Sequence, residues 1–85
     1  MEGRVILRND DIIAVRLLDG TYSVFRLKSA CQVAVGDVFL GALSSVGFQM
    51  LLHSRSETMV EVQVKLARSQ VAAKTKQAIA SRRRF

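Results

Sequence analysis

The chain predicts an all-β fold: a small, strongly bent barrel of five to six strands, with an α-helix after it at the C-terminal end. Three observations carry this expectation. Short apolar runs alternate with turns built on Gly and Asp through residue 66. Met59 to Leu66 alternates cleanly, with Val60, Val62, Val64 and Leu66 on one side and Met59, Glu61, Gln63 and Lys65 on the other. Gly41 interrupts an apolar run, where a missing side chain marks a bulge, a bend or a close approach of backbone, and bent strands let a small sheet close on itself. With 85 residues the chain is one domain at most, and a domain of that size buries only about 60–65% of the surface its unfolded form exposes.

Taken in order, Arg4 to Arg8 reads as a strand and Asn9-Asp10-Asp11 as its turn. Ile12 to Leu18 follows, and Asp19-Gly20 predicts a two-residue hairpin turn, with Thr21 to Leu27 returning antiparallel. That turn sets Val15 against Val24 and Leu17 against Tyr22 on one face, and Ala14 against Phe25 and Ile12 against Leu27 on the other. Both faces are apolar, so the hairpin is either covered on its outside or meets another subunit. Lys28 to Gln32 is a connection with room for one helical turn. Gly36-Asp37 turns into Val38 to Leu43, Ser44 to Gly47 turns back, and Phe48 to His53 returns. Arg55 to Glu57 is a polar turn before the alternating strand.

From Ala67 the composition shifts to Ala, Gln, Lys and Arg without Gly or Pro, which predicts a helix over about Ala67 to Ser81 with Ser69 as N-cap. Its apolar stripe of Ala67, Val71 and Ala78 is thin. The domain reading is therefore a barrel over 1–66 and a basic helix or tail over 67–85.

The net charge of +6 is unevenly placed. Residues 1–64 carry six cations (Arg4, Arg8, Arg16, Arg26, Lys28, Arg55) against seven acids, whereas residues 65–85 carry seven cations and no acid. The candidate nucleic-acid-binding residues are Lys74, Lys76, Arg82, Arg83 and Arg84, since each cation set on a phosphate releases counterions. A solubilising tail and a contact with an acidic partner are the competing readings. The longest apolar runs are about six residues against the roughly 20 of a membrane helix, and no secretory signal opens the chain, so no membrane partner and a cytoplasmic location are expected.

Gly36-Asp37-Val38-Phe39-Leu40-Gly41-Ala42-Leu43, followed by Gly47-Phe48-Gln49-Met50-Leu51-Leu52, resembles the first motif of the Sm/Lsm family. The resemblance covers about a quarter of the chain and implies a small, strongly bent barrel that assembles into rings and binds RNA; SH3-like and OB-like barrels are neighbouring alternatives. A second frame sets Val15 to Gly20 on the family's first strand and turn. In the first frame Gly47, Gln49 and Leu51 stand where the family contacts its RNA, so its pocket is not implied here.

Other chemistry is thinner. Tyr22, Phe25, Phe39 and Phe48 are candidates to stack bases, though strand aromatics are more often core. Asn9-Asp10-Asp11 and Asp37 are turn residues rather than a converging metal cluster. Cys31 and His53 form the one conceivable nucleophile–base pair, and no third residue to orient the histidine is identifiable from sequence. One Cys and one His exclude an internal disulfide and a structural zinc site. The expected function is thus a non-catalytic, cofactor-free, homo-oligomeric protein that binds RNA or DNA. The alternative is a structural or adaptor subunit whose tail docks on an acidic partner.

Overall fold

The computed structural model describes residues 1–69, with side chains through Ala67. Six strands form a closed antiparallel barrel: β1 (Glu2–Asn9), β2 (Ile12–Leu17), β3 (Tyr22–Leu27), β4 (Val38–Gly41), β5 (Gly47–His53) and β6 (Thr58–Ser69). Their order around the wall is β1-β2-β3-β6-β5-β4. Two three-stranded meanders, β1–β3 and β4–β6, therefore meet along β3/β6 and β1/β4. Closure leaves no sheet edge open.

Alternation places Val5, Ile13, Val15, Leu17, Phe25, Phe39, Leu51, Val60, Val62 and Val64 inside, where Phe25 and Phe39 meet edge to face at 5.1 Å. Val33, before β4, and Leu43, after it, join the same core from the loops. Ser23 closes its own polar account by donating to the Leu43 carbonyl at 2.8 Å.

Gly41 turns the wall as expected. Its φ of +146° is disfavoured for L side chains, and a Cβ there would lie 2.7 Å from Leu51 Cδ2. β4 stops at Gly41 rather than running on to Leu43, and this bend drops Leu43 into the core.

The β2–β3 hairpin differs from the expected two-residue turn. Gly20 N–H donates to the Leu17 carbonyl, Leu17 N–H donates to the Thr21 carbonyl, and Gly20 adopts φ +85°. These make a three-residue loop, a type I turn closed by a left-handed glycine. Asp19 Oδ1 accepts from both Thr21 N–H and Thr21 Oγ1, which holds this form. The register accordingly moves by one: Ile13 faces Phe25, Ala14 faces Val24 and Arg16 faces Tyr22. A one-residue slip exchanges faces, so Phe25 joins Ile13 and Val15 inside while Val24 joins Ala14 and Ile12 outside.

The hairpin's second apolar face is used. Ile12, Ala14 and Val24 are fully buried in a separate outer cluster, with Ile6, Leu7 and Leu66 packed against them. Leu66 departs from the inward row expected of it. Val24 pairs Leu66 and Phe25 pairs Val64, so an extra residue bulges from β6 at this point and turns Leu66 outward.

Two further expectations fail. Residues 28–32 contain no helical turn, and β6 continues through Ala67 to Ser69, where the C-terminal helix and its N-cap were placed. Strand pairing to Tyr22 carries the chain past the compositional change. The rest of the expected helix lies outside the described residues.

Candidate functional site

The charge-bearing residues singled out from the sequence, Lys74, Lys76, Arg82, Arg83 and Arg84, lie outside the described residues. The barrel itself carries two groups of side chains with chemical potential.

The first gathers at the end of the barrel where β5 passes to β6. His53, the last residue of β5, is 1% exposed at its side chain and lies 4.9 Å from the Phe39 ring. Its Nε2 donates to Asp37 Oδ2 at 2.8 Å. A carboxylate only accepts, so the proton in this bond is carried on Nε2. Nδ1 lies 2.7 Å from Ser56 Oγ, within hydrogen-bond distance, and 3.6 Å from Cys31 Sγ.

Asp37 also accepts from Ala34 N–H at 3.0 Å, and Arg55 Nε stands 3.2 Å from both its oxygens. Arg55 Nη2 in turn donates to the Gln32 carbonyl at 3.0 Å. Burial pushes the Asp37 carboxyl upward, but the bonds from Ala34, His53 and Arg55 outweigh it and hold the group below its ordinary value.

Cys31 and His53 are therefore together, and Asp37 is the orienting residue that sequence reading missed. A signal was present: Asp37 is the single acid between residues 20 and 56. The arrangement has the outline of a nucleophile–histidine–carboxylate series, beside an open cavity of about 310 Å³ bounded by Cys31, Gln32, His53, Arg55 and Ser56. Its electrostatics point elsewhere. Burial raises the Cys31 thiol above its ordinary value, the Asp37 charge raises it further, and Arg55 opposes them only in part. A thiol kept protonated is a poor nucleophile. What the array does visibly is tie residues 31–37 to the β5–β6 turn. Among the described residues no group of three or more His, Cys, Asp or Glu converges where it could hold a metal ion.

The second group lies on the outside of β1–β3. Arg4 faces Arg16 directly across β1/β2, and Arg16 faces Tyr22 across β2/β3. Tyr22 faces Ser69, the last described residue of β6. One row thus carries two exposed guanidiniums, a half-buried phenol and the point from which the basic segment continues. Gly3, Val5, Val15 and Leu17 occupy the alternate, inward positions, which fixes this row outward.

Of the other candidate stacking aromatics, Phe25 and Phe39 are core, and Phe48 is 64% exposed under Lys28 Nζ at 5.9 Å. Asp11 is engaged with Arg26 at 2.8 Å. Compared with known proteins, the chain matches no family model, no curated protein and no solved structure. Among the described residues no helix is long and apolar enough to cross a membrane.

Proposed function

We propose that the protein is a non-catalytic nucleic-acid-binding barrel that holds RNA through the basic segment following β6. The observation that carries this reading is the division of charge: seven acids balance six cations over residues 1–64, and seven cations stand without an acid over 65–85. So one-sided a segment exceeds what solubility needs, and it matches the sequence-independent electrostatics of phosphate binding. The geometry supports it, because β6 ends at Ser69 paired with Tyr22, whose other neighbour across the sheet is the exposed Arg16.

Filter binding of the intact chain to single-stranded RNA tests the reading, against a variant with Lys74, Lys76, Arg82, Arg83 and Arg84 changed to Gln. The expected result is salt-sensitive retention by the intact chain and its loss in the variant. Equal retention by both removes the segment from the account.

A second reading has its own observation. Leu40, Leu52 and Met59 face one another in register across β4, β5 and β6, with Met50 and Phe48 exposed further along β5. Such an apolar band on an outer wall suits a homo-oligomeric or adaptor subunit, with the basic segment docking on an acidic partner. Sedimentation separates the two: a discrete oligomer without affinity for nucleic acid favours this second reading.

A further inference from the structure

We infer that the outer row Arg4–Arg16–Tyr22 is a binding platform for single-stranded nucleic acid, the two guanidiniums taking backbone phosphates and the Tyr22 ring stacking a base. The inference rests on the nucleic-acid reading above and gives the barrel wall, not the basic segment alone, a part in it.

Arg4 and Arg16 are directly opposed on neighbouring antiparallel strands, both exposed. Like charges in that position destabilise a sheet, and a bound anion relieves them. No carboxylate among the described residues lies within 4.0 Å of either guanidinium, whereas Arg26 and Arg55 each have one. Glu2 lines the same shallow depression, of about 360 Å³, together with Arg4, Ile6, Arg16, Leu17 and Leu18. Glu2 is two residues along β1 from Arg4, so it moderates the field without closing the pair.

Guanidinium forks match phosphate oxygens in shape, which a lysine pair would not. Tyr22, next in the row, adds an aromatic ring on the same face. A ring beside cations is the combination that holds unpaired strands, because each base offers a face to stack and the backbone tracks the charge. Duplexes keep their bases stacked on one another and offer this ring nothing. The row ends at Ser69, the last described residue of β6, paired with Tyr22.

The test is fluorescence anisotropy of the full chain with labelled oligouridine and oligodeoxythymidine of about twelve residues, and a duplex of equal length. Salt is varied from about 50 to about 200 mM. The Arg4→Gln/Arg16→Gln variant is expected to bind single strands at least about tenfold more weakly at low salt. Its log–log salt slope is expected to fall by about 1.4, two phosphates at about 0.7 each for single strands. Tyr22→Leu is expected to weaken binding by about 5- to 150-fold with the slope unchanged, since stacking releases no counterion.

Neither variant touches the inner core, and removing opposed like charges leaves the thermal midpoint equal or higher, so a loss of binding is not a loss of fold. Equal loss on both oligomers assigns the platform to the shared backbone and stacking chemistry. Binding by the unaltered chain that neither variant changes overturns this placement and leaves the parent reading standing. Equal affinity for the duplex overturns the stacking role. No binding by the unaltered chain at low salt overturns both.

Discussion

Asp37 accepts a hydrogen bond from His53 Nε2 at 2.8 Å, and both side chains are withdrawn from solvent, to 9% and 1% exposure. The pair joins the turn before β4 to the end of β5, and Arg55 extends it to the Gln32 carbonyl. Breaking a buried, hydrogen-bonded pair by removing one partner leaves the other group without compensation.

Asp37→Asn is therefore expected to destabilise the barrel by about 2–4 kcal/mol at pH 7. The sign with pH follows from the depressed carboxyl. A carboxyl whose value is lower in the fold than in the unfolded chain contributes stability above the unfolded value of about 3.9, and that contribution is lost as pH falls through the folded value. Urea melts between pH 2 and pH 7 should show the native chain weakening in acid, with a shallower dependence in the variant. Parallel curves would remove Asp37 from this role.

Cys31 should alkylate more slowly with iodoacetamide at pH 8 than a free thiol, because burial and the Asp37 charge both favour the protonated form. Asp37→Asn removes the second of these causes and should speed the reaction in the folded protein. The pH–rate profile reads it directly: the midpoint lies above that of a free thiol in the native chain and moves down in the variant.

Gly41→Ala meets two obstacles at once, a φ of +146° and a Cβ 2.7 Å from Leu51 Cδ2 and 3.1 Å from the Met50 carbonyl. A loss of about 1–3 kcal/mol is expected. For a domain of this size that lowers the thermal midpoint by roughly 4–8 °C per kcal/mol. Calorimetry measuring no change would mean that β4 bends for another reason.

At Gly20 the backbone is left-handed at φ +85°, but nothing stands within 4 Å of an added Cβ. The cost of replacement is thus conformational alone. Gly20→Val should destabilise by about 1–2 kcal/mol, and Gly20→Asn by clearly less, since asparagine visits that region more readily. Equal losses in thermal melts would point to a lost contact instead.

Local chemistry determined much of this protein without help. Strand-length runs, Gly41 and the alternation of Val60, Val62 and Val64 were enough for a small bent all-β barrel, because period-two burial and glycine bends act over a few residues. The separation of charge at the C-terminal end was legible in the same way. The tertiary structure decided what depends on partners distant in sequence. Asp19-Gly20 announced a turn, but the bonds from Leu17 and Thr21 selected the three-residue form, and with it which face Phe25 and Val24 occupy. The bulge opposite Val24 and Phe25 turned Leu66 outward and cross-strand pairing carried β6 to Ser69, where composition alone favours a helix. His53 met Asp37 across 16 residues, and Arg4 met Arg16 across a hairpin, because register, not spacing, sets which side chains become neighbours.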